Sequence, residues 1–204
     1  MGLYAKHILP CCLDMACGTK PILKQREKVV PLVSGVVLEI GIGSGQNLPF
    51  YDAAKVTKII GVDPDDHIWK RSAERRAACT IPVERMGLSG EDIPMENASV
   101  DNVLVTYSLC TIPDPVRALG EMTRILRPGG KIYFTEHGQA PDAGVRKWQR
   151  RIDPIWKRIG GGCHTGRDIP SLFETAGLTF ETLEQMYIPG PKVLSYNYWG
   201  IARV

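Results

Sequence analysis

"VVLEIGIGSGQNLPFYD", residues 36–52, runs a short apolar segment into glycines at every second position, Gly41, Gly43 and Gly45. Val36-Val37-Leu38-Glu39-Ile40 is β-branched and almost wholly apolar, the pattern of a strand buried on both faces of a parallel sheet. A glycine directly after such a strand permits a sharp turn, and further glycines let a ligand approach the backbone closely. A plain tight turn needs only one or two glycines and no fixed spacing.

Other apolar, strand-like runs follow: "VTKIIGVD" (56–63), "TIPVERM" (80–86), "SVDNVLVTYS" (99–108), "KIYFTEH" (131–137), "LTFETLEQ" (178–185) and "VLSYNYWG" (193–200). Helical patterns alternate with them, which implies a single doubly wound α/β domain over 1–204. The Ala- and Arg-rich segment 65–79 is helix-prone. Segment 113–130 places Val116, Leu119, Met122, Ile125 and Leu126 on one face, and Pro128-Gly129-Gly130 stops it. No clear helix separates the last two strand runs, so a final hairpin with one antiparallel strand is expected. Residues 1–34 read as a helical extension over the ligand edge of the sheet, and 139–177 as an insertion before the last strands.

The chain has 204 residues, 44% of them hydrophobic, enough for one well-buried core. With 25 Lys+Arg against 22 Asp+Glu the net charge is +3, too small to set up a field for nucleic acid. Cys11, Cys12, Cys17, Cys79, Cys110 and Cys163 form no CxxC pair and no regular framework. Free thiols, no metal site and a cytoplasmic location are therefore expected. No apolar stretch of the first twenty residues reaches the length of a signal sequence or membrane span.

Ligands of open α/β sheets bind outside the carboxyl ends of the strands, which puts the glycine loop at the site. The dinucleotide fingerprint GxGxxG would place its third glycine at position 46, where Gln46 stands. The GxGxG pattern suits S-adenosylmethionine better, since that molecule has no pyrophosphate to cradle. Asp63 ends the second strand, where a carboxylate can accept from both ribose hydroxyls. Glu91-Asp92 follows the third strand, and Asp92 can accept from an adenine amine.

"LEIGIGSG", "GVDP", "GEDIP…SVD" and "RILRPGG", in this order and spacing, resemble the class I methyltransferases over residues 34–138. The resemblance implies a Rossmann-like, seven-stranded, mostly parallel sheet. It also implies S-adenosylmethionine as methyl donor and S-adenosylhomocysteine as product. Glu39, Gly41, Gly43, Gly45, Asn47, Asp63, Pro64, Glu91, Asp92, Thr106, Tyr107 and Ser108 fall at or beside its cofactor positions.

The acceptor side is narrower. "YSLCTIPDP" stands where nucleic-acid amino methyltransferases carry an (Asp/Asn)-Pro-Pro-aromatic turn, so nucleic acid is not expected as a partner. Glu136-His137, Trp148-Gln149, Asp153-Pro154 with Trp156, Gly162-Cys163 and Arg167 resemble the membrane-associated thiol S-methyltransferases. That implies a small lipophilic thiol as acceptor, with ring-carbon methylation of a quinone or N-methylation of a phospholipid amine as alternatives. A cofactor-binding module without turnover is the reading from another class. His137, at the ligand edge, and His164, in "GGGCHTG", are the candidate proton acceptors.

Within 144–159, Val145, Trp148, Ile152, Ile155, Trp156 and Ile159 share a helical face, and Arg146, Lys147, Arg150, Arg151, Lys157 and Arg158 cover the rest. Pro154 is expected to kink this helix. A core-packing stripe, an apolar lid over the acceptor, and a face for an anionic membrane surface all fit the pattern. Oligomeric state is not legible.

Overall fold

The computed structural model describes residues 4–204. Seven strands form one sheet in the order β3-β2-β1-β4-β5-β7-β6. They are β1 (Gly35–Ile40), β2 (Val56–Val62), β3 (Val83–Met86), β4 (Val100–Thr106), β5 (Leu126–His137), β6 (Thr179–Tyr187) and β7 (Tyr196–Arg203). Pairs β1–β2, β1–β4, β2–β3 and β4–β5 are parallel, while β7 runs antiparallel to both β5 and β6. The final hairpin with its one reversed strand is thus as expected from the sequence.

Side chains alternate faces along each strand, and two cores result. On one face Leu38, Ile40, Val103 and Val105 pack with Leu119, Met122 and Ile125 of helix α5 (Pro115–Ile125). On the other, Val37, Ile59 and Leu104 pack with Val29, Val30 and Val33 at the end of the N-terminal extension. That both faces are covered explains the near-continuous apolar runs. Pro128, Gly129 and Gly130 fall inside β5, which already begins at Leu126, so they shape a strand start as well as stopping a helix.

The helix-prone segment 65–79 is helical in two pieces. It divides into α3 (Asp66–Lys70) and α4 (Ala73–Ala78). Between them Ser72 is buried, its hydroxyl donating to Trp69 O at 2.7 Å, a local bond that competes with the helix ladder.

The extension forms α1 (Leu9–Cys17) and α2 (Lys20–Val29) and lies across the glycine loop. Asp14 of α1 accepts from Gln46 Nε2 at 2.6 Å and pairs with Arg75 of α4 at 3.1 Å. The part of the proposed extension before Tyr4 lies outside the described residues.

The insertion holds α6 (Ala143–Ile159) and α7 (Ile169–Thr175). Pro154 lies inside α6 and does not end it. Gln149, 2% exposed, pins α6 to the sheet edge: its Nε2 faces Gly138 O at 3.0 Å and Thr165 O at 2.9 Å, and its Oε1 accepts from Ala140 N at 3.1 Å. Phe173 of α7 packs against Phe134 of β5 with ring centroids 4.5 Å apart. Truncating a phenyl buried this way costs about 3–5 kcal/mol. The stripe on α6 is divided: Val145 packs against the core and Ile152 and Trp156 are half-buried, while Trp148, Ile155 and Ile159 are 56%, 65% and 49% exposed.

Candidate functional site: a glycine loop, a buried arginine and a thiol–imidazole cluster

The glycine loop leaves β1 at the carboxyl edge. Gly41 has φ +72°, and a Cβ there would stand 1.9 Å from Ser108 Oγ, so only glycine fits. Gly43, at φ +48°, donates its N–H to Asp63 Oδ2 at 3.0 Å. Asp65 N–H donates to Asp63 Oδ1 at 2.8 Å. Each carboxylate oxygen keeps a further acceptor site, so Asp63 is fixed beside the loop and still able to accept from a diol. Burial raises its pKa, against the two N–H donors. Pro64 is exposed at the turn that follows, and Gly45 packs on Leu48 and Ser72.

Beneath the loop lies a buried polar network. Asn47, with no exposed surface, donates from Nδ2 to Glu39 Oε1 at 2.8 Å and to Thr106 Oγ1 at 2.9 Å. Tyr51 donates to Glu39 Oε2 at 2.7 Å. Burial pushes the Glu39 carboxyl up to about 7, partly offset by these two donors and by Arg26. Arg26 enters this network from α2, donating from Nη1 to Asn47 Oδ1 at 2.7 Å and to Thr106 Oγ1 at 2.5 Å. It is 4% exposed, and its Nε has no partner among the described residues. The structure thus brings Glu39, Asn47 and Thr106 together and adds Arg26, which the sequence reading missed. Nothing local marks Arg26 among the 25 basic residues.

The segment after β4 turns sharply at Tyr107, φ +51°, whose hydroxyl donates to Asn197 Oδ1 at 2.7 Å. The buried Glu136 holds this turn by accepting from Ser108 N at 2.7 Å and Leu109 N at 3.0 Å. Glu91 is spent on its own loop, accepting from Ser89 Oγ at 2.6 Å and Asp114 N at 2.6 Å. Its neighbour Asp92 is exposed.

At the same edge of the sheet, His137 ends β5 with its ring stacked beside Tyr107. Its Nε2 lies 3.2 Å from Cys163 Sγ, and Nδ1 is buried without a partner among the described residues. Cys110 completes a cluster whose three ligand atoms all lie within 4.8 Å of one another. The Cys163 thiol is pushed up by its hydrogen bond with Cys110 and by burial, so it stays protonated at neutral pH. His164 donates its backbone N–H to Cys110 O at 2.8 Å, while its ring Nδ1 pairs with Asp153 at 3.0 Å. Burial and the nearby Arg167 charge lower its pKa, which keeps the ring neutral near pH 7. Arg167 donates to Leu109 O and Ile112 O, tying the segment between α6 and α7 to the loop after β4. The sequence reading assigned the histidines separately and gave no role to Cys110, Cys163 or Asp153. Their spacing along the chain hides a cluster that only the strand ends assemble.

The methyltransferase-domain family profile matches residues 38–134. The thiol S-methyltransferase TMT1B of Rattus norvegicus is 35% identical over 155 residues, 72% of this chain and 62% of that protein. The thiol S-methyltransferase TMT1A of Homo sapiens is 33% identical over 162 residues, 76% and 64% respectively. The chain therefore spans just under two thirds of the length of these curated relatives. In fold it resembles a Thermotoga maritima methyltransferase described as a possible histamine N-methyltransferase, with TM-score 0.66, 20% identity and 97% of each chain covered. The donor half fits S-adenosylmethionine on its own chemistry: a fixed carboxylate for the ribose, a close-approach glycine loop, and a buried guanidinium whose Nε lacks a partner and suits an α-carboxylate. Residues 38–134 thus form a methyltransferase domain, on the fold of S-adenosylmethionine-dependent methyltransferases.

Proposed function

We propose that this chain methylates the sulfur of a small lipophilic thiol. The observation that carries this is the 33–35% identity to thiol S-methyltransferases over 72–76% of the chain, which favours sulfur over a ring carbon or an amine. S-adenosylmethionine, when bound, supplies an electrophilic methyl on a sulfonium that departs as a neutral thioether. Asp63 and Arg26 would hold its two ends, and the glycine loop would admit it to the strand edge. Alignment alone can remove much of the barrier of such a transfer.

The acceptor requires one further service, loss of its proton. A free thiol has a pKa near 8.5 and a phenol near 10, so a thiol needs only modest help at neutral pH. His164, neutral and steered by Asp153, is suited to take that proton. His137 is placed differently, against Cys163.

The exposed Trp148, Ile155 and Ile159, flanked by Lys147, Arg150, Arg151 and Arg158, suit contact with an anionic membrane surface that concentrates lipophilic acceptors. Among the described residues no helix is long and apolar enough to cross a membrane.

The test is S-adenosylhomocysteine formation with a matched pair of acceptors, thiophenol and phenol. Turnover with thiophenol, weak or no turnover with phenol, and loss of both cofactor binding and turnover in Asp63→Ala are expected. Turnover with phenol and none with thiophenol would sink the thiol reading.

A further inference from the structure

Cys110, His137 and Cys163 come from three separate places: the loop after β4, the last residue of β5, and the loop after the lid helix α6. Each side chain offers one ligand atom, all three lying within 4.8 Å of one another, with Cys163 Sγ 3.2 Å from His137 Nε2. A tetrahedral Zn2+ with Zn–S of about 2.3 Å and Zn–N of about 2.0–2.1 Å sets its ligand atoms roughly 3.5–3.8 Å apart. The observed cluster needs only side-chain adjustments to meet that spacing.

The surroundings favour occupation. Thiols are weak donors, so two of them and an imidazole satisfy one another poorly. His137 Nδ1 and Glu136 Oε2, buried atoms on consecutive residues, both lack partners among the described residues. A cation here would join His137 to the thiol sulfurs more firmly and give Glu136 a counter-charge. Two thiolates and one imidazole select a thiophilic divalent ion over Mg2+ or Ca2+.

We propose that Cys110, His137 and Cys163 form a Zn2+ site whose fourth position takes the acceptor thiol. Three protein ligands plus one open position is the arrangement of catalytic rather than structural zinc. The site lies at the carboxyl edge of the sheet, one aromatic ring from the donor half: Tyr107 stacks beside His137, and the Arg26 guanidinium lies over the Tyr107 ring, 5.2 Å from its centroid. A thiol entering the open position releases its proton to solvent and binds as thiolate. Its sulfur then forms the new bond to the donor's methyl carbon. The sulfonium C–S bond breaks, and its electron pair stays on the donor sulfur. The cation also ties the lid to β5 and to the β4 loop.

The inference rests on the thiol reading for the occupant of the open position, but not for the three ligands, and the experiment separates the two. The full chain is titrated with Co2+ and Zn2+, following sulfur-to-cobalt charge-transfer absorption and metal content. One equivalent of Co2+ with thiolate charge transfer is expected, lost in Cys110→Ser and Cys163→Ser. Zn2+ affinity is expected to fall more than about 100-fold in each and in His137→Asn. S-adenosylhomocysteine binding in the same samples reports that the variants are folded.

Thiophenol should perturb the cobalt spectrum and phenol should not. Absence of charge transfer, or its persistence in both cysteine variants, overturns the site. Loss of metal in Cys17→Ser, whose thiol lies near Cys163 on α1, would mean a fourth protein ligand and overturn the open position. Intact metal binding and a thiophenol response, without thiol methylation, would overturn the thiol reading while leaving the site standing.

Discussion

A guanidinium with 4% exposure, hydrogen-bonded to an amide and a hydroxyl and leaving Nε unpartnered, is a buried charge awaiting an anion. Glu39 does not answer it directly, because both of its oxygens are taken by Asn47 and Tyr51. The anion that fits is the α-carboxylate of the methyl donor. A charge-assisted hydrogen bond contributes about 1.5–3 kcal/mol, so Arg26→Gln should weaken S-adenosylhomocysteine binding by roughly 10–100-fold. Calorimetric titration checks this, with 5′-methylthioadenosine, which keeps the nucleoside and lacks the carboxylate, as control. Its affinity should be unchanged, and an equal loss for both ligands would place Arg26 in a purely structural role. The glycine loop with Gly41 and Gly43, and Asp63 bonded to it, were legible in the sequence because their geometry depends on local backbone and sequence distance. Arg26 was not, because a helix outside the motif-bearing region delivers it across 80 residues to Thr106.

At the scale of elements, strand–helix alternation was readable because both sheet faces are covered, which leaves continuous apolar runs in the chain. The lid was readable only as a pattern with three uses. The structure limits one of them, the core-packing stripe, to Val145 with the half-buried Ile152 and Trp156, since Gln149, a polar residue, is the buried anchor of α6, while Trp148 and Ile155 face solvent. What a helical stripe packs against is decided by distant segments, here 138–140, 165 and 193, that no local period encodes. The remaining membrane use is open to measurement. Each basic residue near an anionic surface contributes about 1 kcal/mol, so reversing two of them should weaken binding by more than about 10-fold. Sedimentation with phosphatidylserine-containing vesicles is therefore expected to show strong loss in Arg150→Glu/Arg151→Glu and a smaller one in Trp148→Ser. Raising salt should weaken the wild type as well. Salt-independent binding, or none, would remove the membrane face from the account and leave α6 as a lid alone.

Taken over the whole molecule, the buried Glu39 and Glu136 and the half-buried Asp63 have their pKa raised, in each case chiefly by burial. An acid with a higher pKa folded than unfolded binds more protons in the folded state, so stability falls as pH rises between the two values. For Glu39 the window runs from 4.5 to about 7. At about 1.4 kcal/mol per unit, that group alone accounts for a loss on the order of 3 kcal/mol across the window. The carboxyls with lowered pKa act elsewhere. Glu121, brought down to about 2 by its hydrogen bond to Arg124, loses its contribution only as pH falls below about 4.5. His164, lowered chiefly by burial, works against the trend by losing stability below its ordinary 6.5. Thermal unfolding should therefore show maximal stability on the acid side of neutrality, near pH 5, with a decline toward pH 8. Glu39→Gln keeps an oxygen for Asn47 and removes the titration. Its stability difference between pH 5 and pH 8 should shrink by on the order of 3 kcal/mol, or several degrees in Tm for a chain of this length. An unchanged slope would mean that the Glu39 carboxylate remains ionised in the fold, balanced by Arg26 across Asn47.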